Sequence, residues 1–492
     1  MDETGYQVCR YNLTNLVHFL SSIANRNHSH ESVDTGDPIL GSWLTEQRDR
    51  IRKKRQVQYF DEYCSQSKIK HLVLEKEYVC RHFLADYAGY FAWAFHPYAR
   101  YCGRIHFFGK DISEDQFRDQ FDAALTSQDV QDIAATLDYR GFVVAKPLPR
   151  TVIGRSCLKP PYSNINNVEF PALHKFTPNL FGLALSVDSL VFQEQDSEVA
   201  ACATTALWSA LTATASMFQH SVLTPLEITR NAAVILTENR TFPQADGLSM
   251  LQMAEAIRST GLEPVPLKGV NIAWLQAHLY AYLKARIPVI WLINFDLSGI
   301  QARSEGHAVT VAGFELGAEP RRGLFGLSLT AARMTRVFAH DDGVGPYAPF
   351  DLLTDGKIQL ATIRSNESEE EICVGELVLT SWMSEDDPVP ENNHRIPAIT
   401  MDVLVPVHEN VRVPFSLVLA SVAEFEKMLK RLKKKDLISL PSNIEWDIYL
   451  TDVELFRASI RDDDDMDDEE KRRLLTMSVP RFIWRATGLS KS

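Results

Sequence analysis

The sequence predicts an α+β protein. Three observations lead there. Between residues 180 and 360 several helical patterns come first and strand patterns follow, which is not the alternation of a doubly wound sheet. Residues 70–150 interleave strand-like and helix-like segments as a separate α/β unit. The chain is 492 residues long, more than one ordinary core accommodates, so two or three domains are expected.

The elements follow in order. Residues 1–60 read as a helical, polar lead-in, with NRNHSHESVDTGDP at 25–38 as a loop. The basic run RDRIRKKRQ at 48–56 reads as a solvated helix face. In the unit 61–180, HLVLEKEYV is a strand. FLADYAGYFAWAFHPYARYC places Tyr87, Tyr90, Phe91, Phe95 and Tyr98 at helical spacing. RIHFFG is a strand, and DISEDQFRDQFDAAL opens a helix with an aspartate N-cap and acidic first-turn residues. GFVVAKPLPRTVIGRSCL at 141–158 reads as two strands joined at the prolines.

The unit 181–362 carries a helix behind Cys202, another with Pro225 near its start, a third closed by Gly261, and a fourth stopped before Pro288. Three strands follow: VIWLINF, HAVTVAGFE and TRVFAHD. SNESEEE at 365–371 reads as a linker, and 372–492 as a C-terminal α+β extension, β-rich at first. The amphipathic helix SLVLASVAEFEKMLKRLKKK in it carries Lys and Arg in its last turns, where they suit the helix dipole. DDDDMDDEEKRR at 462–473 reads as a surface loop, without the spaced ligands and glycine of a calcium loop.

Composition narrows the function classes. Hydrophobic residues make up 45% and charged residues 23% of the chain, the balance of a soluble globular protein. A net charge of −13 argues against a nucleic-acid or anionic-membrane binder. The seven cysteines include no C-x-x-C pair, so neither a disulfide framework nor a zinc ribbon is expected. The start MDETGYQVCRYN lacks a secretory pattern, and apolar runs such as 287–295 are about half a membrane span. A cytoplasmic protein with no membrane and no nucleic-acid partner is expected. His71, His82, His96 and His106 match no standard zinc spacing, and no metal or cofactor is expected.

The chemistry concentrates around DSEVAACATTALWSAL at 196–211. A lone cysteine among small residues also reads as a buried, inert thiol. At a helix start, however, free N–H groups and the dipole favour a thiolate. A histidine beside it acts as base, and a third polar group orients the imidazole. His307 stands at the mouth of the alternating strand EGHAVTVAGFE, and Asp341 and Asp342 end another strand before the Gly/Pro-rich turn of RVFAHDDGVGPY. Cys202, His307 and Asp341, with Asp342 as the alternative, are the candidate catalytic residues.

QDSEVAAC followed by a helix, then GHAVTVAGFE, then FAHDDGVGPY, resembles the papain-like cysteine peptidase superfamily, closest in style to the bacterial branch that trims double-glycine leader peptides. The resemblance covers roughly residues 185–355. It implies a helix-borne cysteine packed on an antiparallel sheet carrying His and Asp. Cys202 would be the nucleophile, His307 the base and Asp341 or Asp342 its orienting group. Gln195, or alternatively Gln193, would supply an oxyanion donor beside the Cys202 N–H. Ala203 stands where the family usually has glycine, and Asp196 where it usually has the glutamine. The expected activity is that of a cysteine peptidase or isopeptidase acting on a peptide or protein through a thioester. A transglutaminase or acyltransferase on the same fold, and a non-catalytic papain-like scaffold, are the alternatives. Lys146, Arg150 and Arg155, around Pro147 and Pro149, read either as a groove for an acidic peptide or as a plain strand–turn–strand.

Overall fold

A computed structural model describes residues 5–26, 38–95, 97–126, 137–163, 165–196, 199–235, 247–268, 272–295, 306–319, 323–353, 374–378, 395–439, 441 and 443–490. The architecture is α+β and its two large sheets are antiparallel. Among the described residues no helix is long and apolar enough to cross a membrane.

The first sheet orders its strands Tyr6–Arg10, His71–Tyr78, Cys102–Phe108, Tyr139–Ala145, Ile153–Leu158 and Val191–Phe192. Two expectations change here. Tyr6–Arg10, within the predicted helical lead-in, is an edge strand paired with His71–Tyr78. Every pairing is antiparallel, so the unit is not built from parallel βαβ crossovers. Cys102–Phe108 is buried along its whole length, as a central strand covered on both faces must be. Helix Leu13–Ala24 lies on one face so closely that a Cβ at Gly103 would sit 2.8 Å from Ile23 and 2.9 Å from Phe19.

The aromatic stripe forms only part of a helix. Arg81–Gly89 is helical, Phe91–Trp93 is a single 3-10 turn, and the chain then leaves helical geometry. Tyr87, Phe91 and Tyr98 still pack together, through Phe83–Phe91 and Phe91–Tyr98 ring contacts, while Phe95 is fully exposed. Helix Glu114–Thr126 has the acidic first turn expected, but its N-terminal N–H at Gln116 is accepted by the Ser113 hydroxyl rather than by an aspartate.

The second sheet follows the order Glu263–Lys268, Arg395–Val407, Val289–Phe295, Gly306–Leu316, Met334–Asp341, Gly345–Leu353 and Val374–Val378. Val374–Val378 also pairs with Arg395–Val407, so six of these strands close on themselves. The 13-residue strand Arg395–Val407 makes closure possible by changing partners along its length. Its first residues pair with Val374–Val378, its middle with Val289–Phe295, and its end with Glu263–Lys268. The sheet therefore runs across positions 362–372, where the sequence suggested a boundary. The linker 365–371 lies outside the described residues, as does most of the loop at 25–38.

Helix Cys202–Phe218 is the centre of this unit. Ala203 through Leu211 are all buried, and the helix lies between the two sheets. Its small residues permit close approach: Thr310 on strand Gly306–Leu316 donates to the Ala206 carbonyl at 2.9 Å, and Ser209 donates to the Val191 carbonyl at 2.7 Å. The three helices expected after it are Pro225–Ala232, Met250–Arg258 and Ile272–Leu283. The first two are closed at their N-termini by complete capping boxes, Thr224 with Glu227 and Ser249 with Gln252.

Beyond the sheet, helix Phe415–Lys434 covers strand Ile444–Asp452, which pairs antiparallel with Phe482–Ser490. The acidic–basic run is not a loop throughout. Asp467 caps a short helix, Asp468–Leu475, by accepting from the Glu469 and Glu470 N–H groups, because its acidic residues fall at the helix start and its arginines at the end.

Candidate functional site

The segment entering the cysteine helix is tightly turned. The buried Asp196 side chain accepts from the N–H groups of Val199, at 2.6 Å, and Ala200, at 3.2 Å, and its own N–H donates to the Ala200 carbonyl. Ala201 is the N-cap, with no side-chain cap bond, and Cys202 is the first helical residue. The first-turn N–H groups and the positive end of the dipole are thus left for whatever occupies the site. Cys202 is half-buried, whereas Cys64, Cys80, Cys102 and Cys157 are buried. Burial pushes the Cys64 and Cys102 thiols well up and the Cys157 thiol to about 12.

His307 is the second residue of strand Gly306–Leu316. This strand pairs antiparallel with Met334–Asp341, with Thr310 opposite His340. Three residues back on one strand is three forward on the other, so the register brings His307 opposite the turn at Gly343. Nε2 of His307 then lies 3.0 Å from Oδ1 of Asp341 and 3.5 Å from Oδ1 of Asp342. The Cys202 thiol is among the groups that raise the His307 pKa, so it lies beside the same imidazole. Nε2 is the nitrogen turned to the aspartates, so Nδ1 is the one available to the sulfur. The imidazole side chain is 14% exposed and both carboxylates 2%. The structure thus brings together all four residues singled out from the sequence.

The two aspartates differ in environment. Asp341 Oδ1 also accepts the Gly343 N–H at 2.9 Å. Burial alone would raise its pKa, but the charge and hydrogen bond of His307, the Gly343 N–H and the Arg55 guanidinium hold it below the usual carboxylate value. Asp342 Oδ2 lies 3.3 Å from the Thr205 hydroxyl, whose single hydrogen is shared with the Cys202 carbonyl at 2.8 Å. Burial, with the Asp341 charge beside it, outweighs His307 and pushes Asp342 up to about 7. For His307 burial works against the cation. The Asp341 charge and hydrogen bond, the bond to Cys202 and the Asp342 charge overcome it, so its pKa lies well above the ordinary 6.5. The arrangement at neutral pH is an imidazolium on an ionised Asp341.

No protein-family model matches the chain, and no curated protein does.

Several contributors were not evident from the sequence. Thr205 bridges the helix to the turn, donating to the Cys202 carbonyl at 2.8 Å as well as lying against Asp342. Its place three residues after the cysteine was the available signal. Helix Arg55–Gln66 forms a further wall. Gln56 Nε2 donates to the Asp342 carbonyl at 3.1 Å, and the Tyr59 hydroxyl donates to the Pro346 carbonyl at 2.7 Å. Gly345 is required there, since a Cβ would fall 2.1 Å from the Tyr59 ring. These contacts span some 286 residues of sequence, so no local pattern announces them. The run at 48–56, read as a solvated face, therefore ends at the site. Its Lys54 pairs with the buried Glu194.

The remaining candidates lie elsewhere or play other parts. Gln195 is exposed and Gln193 buried, and among the described residues no hydrogen bond joins either to Cys202. Lys146 is buried 3.9 Å from Asp196, and Arg155 packs over Phe142 and donates to the Tyr78 hydroxyl, so neither lines an open groove. Arg150 gives its carbonyl to Lys54. The four N-terminal histidines are dispersed: His71 faces Asp111, His82 accepts from Trp208 Nε1, His106 meets the Tyr139 hydroxyl, and His96 lies outside the described residues. Among the described residues, the group whose ligand atoms lie close enough to hold a metal ion is His307, Asp341 and Asp342.

Proposed function

We propose that the protein is a thiol-dependent acyl-transfer enzyme of papain-like type, a cysteine peptidase or isopeptidase. The observation that carries this reading is one imidazole held between a thiol at a helix N-terminus and a buried, ionised carboxylate. In the reactive pair the Cys202 proton rests on His307 Nδ1, and the sulfur attacks an acyl carbonyl as the thiolate. The Cys202 N–H at the helix start points toward the developing oxyanion. The proton on Nδ1 passes to the leaving amine as the C–N bond breaks, leaving a thioester on Cys202. Water, deprotonated by the same nitrogen, then releases the acid, while an amine in its place gives transfer. Asp341 holds the ring throughout. The cysteines, free among the described residues, suit a reducing compartment and a cytoplasmic location.

One observation favours the second reading, a papain-like scaffold without catalysis: Gln195 is exposed and not directed onto Cys202 by any hydrogen bond among the described residues. Iodoacetamide labelling at pH 6 with peptide mapping separates the two. The enzyme reading expects Cys202 to react first among the seven cysteines and His307→Ala to abolish that preference. Uniform, slow labelling, unchanged in the variant, overturns it.

A further inference from the structure

A catalytic imidazole needs one carboxylate on its outer nitrogen, and here two converge on it. Both are buried, and among the described residues Asp341 Oδ2 and Asp342 Oδ1 receive no hydrogen bond. A buried carboxylate oxygen without a donor is costly and calls for a reason. Of their other oxygens, Asp341 Oδ1 is held by the Gly343 N–H, and Asp342 Oδ2 lies 3.3 Å from the Thr205 hydroxyl. One imidazole nitrogen and two carboxylates are a donor set suited to a borderline divalent cation. The atoms that would ligate it all lie within 4.8 Å of one another. The Nε2 distances, 3.0 Å to Asp341 Oδ1 and 3.5 Å to Asp342 Oδ1, bracket the edge of about 3.3 Å expected of a tetrahedron with ligand bonds of about 2.0 Å, so Asp342 would ligate through its unpartnered oxygen and Asp341 through the oxygen that Gly343 holds.

We propose that His307 Nε2 and one carboxylate oxygen from each of Asp341 and Asp342 bind a divalent cation of the zinc class, with solvent as the remaining ligand. The site goes beyond the acyl-transfer reading and does not depend on a reactive thiol. Cys202 is not among the residues whose ligand atoms converge and is not a ligand. The ion takes the place of the Nε2 proton, which leaves to solvent, and it displaces the His307–Asp341 hydrogen bond. His307 is then a neutral ligand that carries its hydrogen on Nδ1 and cannot take the thiol proton.

The test is Zn²⁺ titration of the full chain against a chromogenic chelator at pH 7, with Co²⁺ absorption spectra alongside. The wild type should bind one equivalent, and the Co²⁺ form should lack a thiolate charge-transfer band. Asp342→Asn should weaken binding about tenfold or more, while Cys202→Ala should leave it within about twofold. Should Asp342→Asn lose its far-UV circular dichroism, Asp341→Asn gives the same readout. Absence of stoichiometric binding, loss of binding in Cys202→Ala, or binding unchanged in both aspartate variants overturns the proposal. Iodoacetamide labelling of Cys202 in metal-free buffer reports on the thiol chemistry separately, so failure of one reading is distinguishable from failure of the other.

Discussion

His307 Nε2 lies 3.0 Å from Asp341 Oδ1, closer than to Asp342, and only Asp341 has a backbone N–H anchoring the same oxygen. On the acyl-transfer reading Asp341 is therefore the orienting group. Asp341→Asn should slow Cys202 alkylation at pH 6 about tenfold or more, and Asp342→Asn by less than about threefold. Equal losses would reassign the role to the pair.

The pair also sets a pH dependence of stability. Asp342 is raised to about 7 from an ordinary 3.8. Between those values the folded state binds more protons than the unfolded one, so this group makes stability fall as pH rises. Asp342→Asn removes that loss. Relative to wild type, the variant should gain about 2 kcal/mol on going from pH 5 to pH 8, measured by urea unfolding. A difference that is flat with pH refutes the assignment.

The His307–Asp341 pair has its own window. Asp341 is depressed, so its contribution is present above the ordinary carboxylate value and is lost as pH falls through the folded value. His307 is raised, so its contribution is full below 6.5 and is lost as pH rises through the folded value. The pair stabilises most between about pH 4 and 6.5. His307→Ala should accordingly lower the thermal midpoint more at pH 5.5 than at pH 9, as scanning calorimetry would record.

The Tyr59 ring occupies the space beside Gly345, at 2.1 Å from an added Cβ. Gly345→Ala forces the Asp341–Gly345 turn away from helix Arg55–Gln66 and should cost about 1–3 kcal/mol. It should also slow Cys202 alkylation, because the turn carries the orienting carboxylate. A folded variant with normal alkylation would show that the helix wall is not needed for the site.

Asp196 holds the turn before the cysteine helix by accepting two N–H groups. Asp196→Ala leaves both unpartnered in a buried setting and should cost about 1–3 kcal/mol. Urea unfolding measures the cost. The same variant should blunt the selectivity of alkylation for Cys202, since the helix start is no longer fixed.

Much of the fold was legible because it is local. Period and punctuation placed strands His71–Tyr78, Val289–Phe295, Gly306–Leu316 and Met334–Asp341, and the helices at Cys202, Pro225 and Ile272. Errors fell where packing overrode pattern. Aromatics at helical spacing continue past Gly89, but the chain there turns to pack Tyr98 on Phe91. Tyr6–Arg10 is a strand because a free sheet edge beside His71–Tyr78 supplies its hydrogen bonds.

By itself the sequence determined the chemistry on offer: a thiol at a helix start, a histidine at a strand mouth, and two acids at a strand end. Each depends on residues a few positions apart, so short-range geometry sets it. Only the tertiary structure decided which acid holds the ring, that both reach the same nitrogen, and that Gln56 and Tyr59 wall the turn. It also decided that Arg395–Val407 closes the sheet carrying the histidine. Those are matters of strand register and of contacts across hundreds of residues. Burial and neighbouring charges brought together in three dimensions, not spacing along the chain, set Asp341 and Asp342 apart.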